Sequence, residues 1–171
     1  MPFFRHMTNT SGVLNYPEAH FDMIRIGLGI HGWTNSLEHN KFLKKSWFFK
    51  SKISQIREIK KGDSIGYNRG QKAEKPMRIA IVPIGHADGY PRPLGIGNGW
   101  VIINGQKAHT AGNICMDMIL VDVTGIKCKE SDEVEIFETR ETLNLFAKSC
   151  KTISYEMLTA IGPRIKRELI S

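Results

Sequence analysis

The sequence has little cysteine and no long apolar run, and these absences exclude several classes of protein. The three cysteines, Cys115, Cys128 and Cys150, form no CxxC pair, so neither a zinc site nor a disulfide framework is expected. No apolar stretch approaches the roughly eighteen residues that cross a bilayer, and the segment MPFFRHMTNTSG lacks the apolar core of a signal peptide. The six histidines show no metal-ligand spacing. We therefore expect a cytoplasmic protein with reduced thiols, without a metal ion or a membrane span.

The length and composition are those of an ordinary globular protein. With 171 residues, 41% of them hydrophobic, the chain is long enough for one domain, or for one domain and a fragment of another. The net charge of +7 raises the question of nucleic acid, since lysines cluster at 41–61 around Trp47, Phe48 and Phe49. A solvated basic face whose lysine stems lie along an apolar anchor explains the same pattern. The third interpretation is a basic surface that packs on a more acidic partner domain.

Short runs rich in Ile and Val follow residue 50, and turns that contain Gly, Asn or Asp separate them. This pattern of short strands and frequent turns is typical of a β-barrel or a β-sandwich. The predicted strands are Ile53–Ile59, Arg78–Ile84, Trp100–Asn104, Met118–Val123 and Val134–Phe137. Earlier in the chain, residues 22–32 mix Ile and Leu with three glycines. That mixture makes a poor helix and predicts a buried strand that opens into a turn.

Two helices are expected late in the chain. The segment Glu141–Cys150 places apolar residues on one face, as an amphipathic helix does. The segment Ser154–Ile161 begins with a capping-type serine and ends before Gly162-Pro163. Ile165–Ile170 is then predicted to return as a final strand.

Two segments carry the clearest signature. Residues 79–92 read IAIVPIGHADGYPR, a run of β-formers that leads into a turn dense in Gly, Asp and Pro, and residues 112–117 read GNICMD. Together they resemble the C-terminal domain of the alanine racemase family, enzymes that interconvert L- and D-alanine with pyridoxal phosphate. The resemblance implies a mainly β fold, with an alanine-racemase C-terminal-like β-barrel domain and two or three short helices at residues 34–171. It implies that residues 1–33 are the terminal strand and helix fragment of a cofactor-binding (β/α)8 barrel.

Tyr67 is the candidate catalytic residue. It comes just after a turn and follows Gly66, which lets a ligand or another backbone approach closely. From the residues alone Tyr67 is interpreted as a strand aromatic, because a phenol acts as a base only beside a cation or a hydrogen-bond donor. The family, however, carries its catalytic tyrosine in a Gly-Asp-x-x-x-Tyr segment that Tyr67 matches. The resemblance implies that Tyr67 exchanges the substrate α-proton on one face, opposite a lysine.

Arg25 lies inside an apolar run at residues 23–30 and needs an anionic or planar partner there. The residues alone favour an ion pair with a nearby carboxylate. The Arg-x-Gly of this segment resembles the family arginine that hydrogen-bonds the pyridine nitrogen of the cofactor. Because an arginine cannot accept a proton, that contact leaves the nitrogen largely neutral and favours racemisation over transamination.

The cofactor phosphate has candidate ligands in two parts of the chain. Asn9, Thr10 and Gly27 resemble the family's phosphate-cradling positions, and hydroxyls with the backbone amides of a Gly-rich turn suit a dianion. Tyr155 matches the family tyrosine that hydrogen-bonds the phosphate, and His6 belongs to the family pattern just before the cradle. The residues alone also allow ordinary turn chemistry for the first group, and for Tyr155 an aromatic that packs on the core.

Three further residues concern the substrate and its approach. Met116 resembles the position whose backbone amide meets the substrate carboxylate. His86 stands where the family has a tyrosine that helps line the substrate entrance, and Asn113 stands where many members have an arginine. The width and the pH response of the entrance are therefore expected to depart from the family pattern. Asp88 is predicted to be structural, because an Asp before Gly closes a tight turn.

The family's anchoring lysine lies in a Lys-x-Asn-Ala-Tyr-Gly segment that this sequence lacks, so we expect the chain alone to be inactive. The resemblance implies pyridoxal phosphate as cofactor, alanine as substrate and a role in peptidoglycan precursor supply. It also implies a head-to-tail homodimer in which Tyr67 and Met116 reach the barrel of the other subunit. The competing interpretations are a racemase of another amino acid, a decarboxylase, and a basic non-enzymatic domain that binds nucleic acid or protein. Arg25 argues against a decarboxylase, a class that tends to place an acid at the pyridine nitrogen.

Overall fold

The chain folds into two compact units. The computed structural model describes residues 3–34, 36–137 and 139–169, without the side chain of Leu37. The first unit comprises Met1–Trp47 and the second comprises Phe48–Ser171. The assignment of residues 1–33 to a barrel fragment and of residues 34–171 to a β-domain stays a prediction.

Short helices and turns build the first unit. It contains the α-helices α1, Thr10–Asn15, and α2, Leu37–Asn40, and the 3-10 helices Pro17–Ala19 and Leu28–His31. Helix α1 begins where it does because the Asn9 side chain accepts the Gly12 N–H at 3.0 Å. Ser36 caps α2 in the same manner by accepting the His39 N–H.

The strand predicted at residues 22–32 is wrong. Residues 22–27 form no strand, their apolar side chains are exposed, and residues 28–31 turn into a 3-10 helix. Two backbone hydrogen bonds, from Asp22 N–H to Arg5 O and from Arg25 N–H to Thr8 O, join this stretch to the segment beside it. The glycines then break the extended path before the regular ladder of a strand can form.

Three antiparallel sheets form the second unit. Its strands are β1 Phe49–Lys52, β2 Gln55–Ile59, β3 Ser64–Ile65, β4 Gln71–Lys72, β5 Met77–Val82, β6 Trp100–Ile103, β7 Gln106–His109, β8 Ile119–Asp122 and β9 Glu133–Ile136. The strand orders are β1-β9-β6-β7, β2-β5-β8 and β3-β4. An isolated bridge between Thr110 and Val121 links the end of β7 to β8. The predicted mainly β fold with a few short helices is thereby confirmed.

The five predicted strands are all confirmed, with ends that differ by no more than about two residues from the expectation. Alternation explains why these segments form strands. Strand β6 buries Val101 and Ile103, and β9 buries Val134 and Ile136, while the residues between them are more exposed. A period of two places one face of each strand on the core.

An aromatic cluster joins helix α3, Arg140–Ser149, to the four-stranded sheet. The Phe146 ring meets the Trp100 ring edge-on at 4.4 Å between centroids and lies 6.0 Å from the Phe137 ring. Tyr90 stacks on Phe137 at 5.9 Å. The apolar face predicted for this helix is confirmed, because its buried residues include Leu143, Phe146 and Ala147.

Helix α4, Ser154–Thr159, is also confirmed, but the cap predicted at Ser154 is wrong. The cap position is Ile153, and Ser154 is the first helical residue. The Ser154 hydroxyl instead donates to the Asn144 side chain on α3. It therefore joins the two helices rather than closing the first turn of its own.

The final strand predicted at Ile165–Ile170 is wrong for residues 165–169, and Ile170 lies outside the described residues. The Arg167 guanidinium donates to the Ile161 carbonyl at 3.1 Å and thereby folds the tail back toward the end of α4. Local side-chain contacts thus replace the strand pairing that the apolar residues suggested.

Candidate active site

Tyr67 lies just after the short strand β3 and is open to solvent. It begins a 3-10 turn, Tyr67–Arg69, directly after Gly66, and it is 77% exposed. Its carbonyl oxygen accepts a hydrogen bond from the Asn113 side-chain amide at 3.0 Å. The turn that carries the candidate catalytic phenol is therefore tied to residues 112–117.

Two glycines let the Tyr67 turn approach that segment. Gly66 and Gly112 have φ values of +75° and +69°, a region that favours glycine. A Cβ atom at Gly112 would lie 2.8 Å from the Ile65 carbonyl oxygen, and one at Gly66 would lie 3.3 Å from the Gly112 Cα. The Gly112 N–H donates to Gln71 Oε1 at 2.7 Å, so strand β4 also holds the segment.

Met116 lies farther along the same segment, and the first signature turn holds its backbone. The Ala87 N–H donates to the Met116 carbonyl at 2.9 Å, and the His86 N–H donates to the Cys115 carbonyl at 3.0 Å. Glycine at position 85 permits this contact, because a Cβ atom on Gly85 would lie 2.4 Å from both carbonyl oxygens. Met116 is 59% exposed, and no group in the described part of the chain accepts its N–H.

Residues 112–118 thus bring together four of the residues that the sequence singled out: Tyr67, His86, Asn113 and Met116. Tyr67 is attached through the Asn113 side chain, and His86 is attached through its own backbone N–H. Tyr67, His86 and Met116 are exposed, so their side chains are accessible to a ligand or to another protein surface. Their chemical roles stay predictions.

Asp88 closes the turn that its sequence predicts and makes a second contact that sequence reasoning missed. It is 3% exposed, and its Oδ2 accepts the Gly85 N–H at 2.8 Å. The Arg164 guanidinium donates to the same carboxylate from Nε at 2.6 Å and from Nη2 at 2.9 Å. These bonds lower the pKa of Asp88, although burial alone would raise it. No local pattern points to Arg164, because 76 positions separate it from Asp88.

Tyr155 lies in helix α4 and is half-buried. Helix α4 packs on α3, and the Tyr155 carbonyl accepts the Thr159 hydroxyl at 3.0 Å. The phosphate-binding role of Tyr155 stays a prediction.

Arg25 lies on an open cavity of the first unit. The cavity has a volume of about 410 Å³, and Thr8 and Asn9 also line it. The Arg25 side chain is exposed and donates from Nη2 to the Met7 carbonyl at 3.1 Å. Among the described residues, no carboxylate forms an ion pair with Arg25. Guanidinium N–H groups therefore remain available to a ligand in this cavity.

Thr10 and Gly27 are in direct contact in the first unit. The Thr10 hydroxyl oxygen accepts the N–H groups of Gly27 at 3.0 Å and Gly29 at 3.3 Å. The space beside Gly27 is open, because a Cβ atom there would have no neighbour within 4 Å. His6 is exposed in the segment that leads to Asn9. The predicted phosphate cradle is therefore closed where Thr10 binds the Gly27 and Gly29 amides and open beside Gly27.

These groups fit pyridoxal phosphate in their chemistry. Arg25 offers donors that suit a ring nitrogen acting as acceptor. The Thr10 hydroxyl accepts two N–H bonds and retains its own O–H to donate to an anion. The open space at Gly27 admits an anionic group close to the backbone.

Within the ranges 3–34, 36–137 and 139–169, no group of three or more His, Cys, Asp or Glu residues could hold a metal ion. The described part of the chain has no helix long and apolar enough to cross a membrane. The cysteines Cys115, Cys128 and Cys150 are free thiols.

The antiparallel sheets and the loop cluster at residues 112–118 define a β-domain in which short loops carry the polar groups. Residues 47–169, nearly the whole second unit, match the family model described as alanine racemase, C-terminal domain. The chain therefore belongs to the alanine racemase C-terminal domain family.

Sequence relatives and solved structures agree with this assignment. The chain is 40% identical over 164 residues to the alanine racemase of Syntrophobacter fumaroxidans, an alignment that covers 92% of this chain and 44% of that protein. Among solved structures, the alanine racemase of Clostridium difficile 630 in complex with cycloserine has a TM-score of 0.84 and 33% identity, covering 97% of this chain and 47% of that chain. The alanine racemase of Bartonella henselae with covalently bound pyridoxal phosphate has a TM-score of 0.80 and 31% identity, covering 99% and 48%. The chain spans less than half the length of these relatives.

Proposed function

We propose that this chain is the C-terminal part of an alanine racemase that interconverts L- and D-alanine with pyridoxal phosphate. The observation that carries the proposal is the loop cluster at residues 112–118, where Tyr67 is attached close to Met116, whose N–H has no acceptor among the described residues. Family membership supports the substrate and the cofactor. The biological role that follows is the supply of D-alanine for peptidoglycan precursors, in the cytoplasm.

Pyridoxal phosphate supplies, when bound, an electron-withdrawing ring that makes the α-hydrogen of an amino acid removable. Arg25 would hold the ring nitrogen with its guanidinium, which donates and cannot accept a proton. Asn9, Thr10, Gly27 and Tyr155 would hold the phosphate, with His6 beside the cradle. The lysine that anchors the cofactor would come from outside this sequence.

In this scheme Tyr67 moves a proton at the substrate α-carbon, and the Met116 N–H binds the substrate carboxylate. A phenol needs a cation or a donor beside its oxygen to act as a base. Among the described residues, none donates to the Tyr67 hydroxyl, so we propose that the activating group lies on the surface that Tyr67 faces in the assembled enzyme. We propose a head-to-tail homodimer in which Tyr67 and Met116 complete the site of the other subunit, with His86 and Asn113 at the entrance.

Two lysines of the basic cluster have partners within the chain, which argues against a nucleic-acid site there. Lys50 Nζ lies 2.6 Å from a Glu133 carboxylate oxygen and 5.7 Å from the Phe48 ring centroid. Lys45 lies over the Trp47 ring at 5.0 Å. Internal partners thus already engage these charges and aromatic faces, which a nucleic-acid site leaves free for phosphates and bases.

A chimera tests the proposed function. This chain would replace the corresponding C-terminal part of the Clostridium difficile 630 alanine racemase, and a coupled assay would measure D-alanine formed from L-alanine. We expect racemase activity in the chimera and none in the 171-residue chain alone. Tyr67→Phe should lower kcat by about 10²–10⁴-fold, because the phenol oxygen that carries the proton is lost.

Two outcomes would contradict the proposal. The first is a chimera that folds and binds pyridoxal phosphate but does not racemise alanine. The second is a chimera whose turnover is the same with tyrosine or phenylalanine at position 67. Turnover of serine and lysine, measured in parallel, separates alanine racemisation from racemisation of other amino acids.

A further inference from the structure

The buried carboxylate of Asp88 has a function beyond closing its turn. Among the described residues, Asp88 is the one charged side chain that is fully buried. Its oxygens receive three hydrogen bonds, one from the Gly85 N–H and two from Arg164. Burying a carboxylate costs desolvation free energy, which its hydrogen-bond partners must offset. The segments that carry those partners are therefore the ones that the carboxylate holds together.

On one side, Asp88 fixes the turn against the end of helix α4. Gly89 has a φ of +101°, and a Cβ atom there would lie 2.9 Å from the Ile161 Cα. A Cβ atom on Gly162 would lie 2.9 Å from the Ala87 carbonyl oxygen. Arg164, two residues after Gly162, donates to Asp88, so the ion pair holds together a contact that two glycines make possible.

On its other side, the same turn fixes the orientation of the peptide group between Cys115 and Met116. The His86 N–H donates to the Cys115 carbonyl at 3.0 Å. That carbonyl and the Met116 N–H belong to one planar trans peptide, in which C=O and N–H point in opposite directions. Fixing the Cys115 oxygen therefore fixes the direction of the Met116 N–H, which has no acceptor in the described part of the chain.

We propose that Asp88 and Arg164 are positioning residues that aim the Met116 N–H at the carboxylate of a small amino-acid substrate. The mechanical connection runs from Arg164 to Asp88, through the turn to the His86 N–H, and from there to the peptide plane of Met116. The assignment of the substrate group rests on the proposed function; the connection itself rests on the contacts above.

Hydrogen exchange on the 171-residue chain tests the connection. In Asp88→Asn, which keeps the size and an acceptor for the Gly85 N–H but removes the charge, the amides of His86 and Ala87 should exchange about tenfold faster or more. Arg164→Lys should give a smaller increase, because it keeps the charge and loses the two-pronged geometry. Amides of strands β6 and β7 should remain unchanged.

Asp132→Asn is the matched control. Asp132 is also a turn aspartate, whose Oδ2 accepts the Lys129 N–H at 3.0 Å and the Asn104 side-chain amide at 3.1 Å, and none of its hydrogen bonds in the described part of the chain reaches the 85–90 turn. It should leave the exchange of His86 and Ala87 as in the parent chain. The connection is overturned if Asp88→Asn leaves these two amides unchanged, or if it accelerates exchange equally across all strands.

Steady-state kinetics of the chimera test whether the Met116 N–H binds the substrate carboxylate. Asp88→Asn should raise KM for alanine about tenfold and change kcat by less than about threefold, since a misdirected N–H weakens binding of the carboxylate. A fall in kcat at constant KM would overturn the substrate-carboxylate assignment. An inactive parent chimera would count against the proposed function alone, because the exchange measurement decides the positioning separately.

Discussion

Gly112 is the point where the Tyr67 turn meets the segment 112–118, and its replacement by alanine tests that close approach. With a φ of +69°, alanine at this position costs about 1–2 kcal/mol, because its Cβ crowds the following carbonyl. That Cβ would also lie 2.8 Å from the Ile65 carbonyl oxygen and 3.1 Å from the Gly66 Cα. Both are backbone atoms that cannot rotate away, so overpacking adds about 1–3 kcal/mol. We expect Gly112→Ala to lower the free energy of unfolding by about 2–5 kcal/mol.

Gly105→Ala separates the two causes of this cost. Gly105 has a φ of +75°, close to that of Gly112, but a Cβ atom there would have no neighbour within 4 Å. We expect a loss of about 1–2 kcal/mol from the backbone conformation alone. Alanine also restricts the unfolded chain, but it does so in both variants, so this effect cancels in the difference.

Urea denaturation followed by circular dichroism measures both variants. The dependence of the unfolding free energy on urea concentration should stay as in the parent chain, so that a shifted midpoint reports stability. If the two variants lose the same stability, the reasoning is refuted, because the positive φ then accounts for the whole cost and the close approach for none of it.

The aromatic cluster, the Asn113 amide and the Asp88–Arg164 pair each predict the effect of a substitution. Phe146→Ala should lower the free energy of unfolding by about 3–5 kcal/mol, because it empties the centre of the aromatic cluster. Its control is Leu145→Ala, at a position that is 54% exposed, which should change the free energy of unfolding by less than about 0.5 kcal/mol in the same denaturation assay. Asn113→Ala should cost about 1 kcal/mol by removing the donor to the Tyr67 carbonyl, and Asn113→Asp should cost more, because a carboxylate oxygen would then face that carbonyl. Arg164 lowers the pKa of Asp88, so the pair stabilises the fold above the ordinary aspartate pKa and this contribution is lost as the pH falls through the lowered value. Thermal unfolding between pH 2 and 6 should therefore show a shallower acid slope for Asp88→Asn than for the parent chain, and an identical slope would contradict this assignment.

The strands that sequence reasoning found and those that it missed differ in their length and apolar pattern. The five predicted strands include β5, β6 and β9, which each have a neighbour on both sides and bury Ile or Val on the core face. Four strands were missed. Strands β3 and β4 have only two residues each, and β1 and β7, the two edges of the four-stranded sheet, read FKSK and QKAH. An edge strand is half solvated and tolerates lysine, so it carries only a weak apolar pattern.

The candidate site divides in a similar way. Tyr67 and Met116 were singled out because each stands in a short segment with a recognisable order of residues, and their roles stay predictions. The contacts around them were not predicted, since the Asn113 amide meets Tyr67 across 46 positions and Arg164 meets Asp88 across 76. Such pairings depend on the packed arrangement of strands and leave no trace in local spacing.

The contacts of this cluster explain how groups so open to solvent are held in place. Tyr67 and Met116 are 77% and 59% exposed, so side-chain packing contributes little to fixing them. Their backbones are fixed instead, because the carbonyls of both residues accept hydrogen bonds from neighbouring loops and glycines allow those loops to approach closely. The backbones of Tyr67 and Met116 thus start from defined positions, so that only side-chain freedom is left to be lost when a ligand or a second protein surface meets them. An isolated domain gains nothing from a rigid backbone beneath exposed side chains. In a domain that completes its active site against another surface, as we propose for this one, a rigid backbone sets the positions of the site residues before the two surfaces meet.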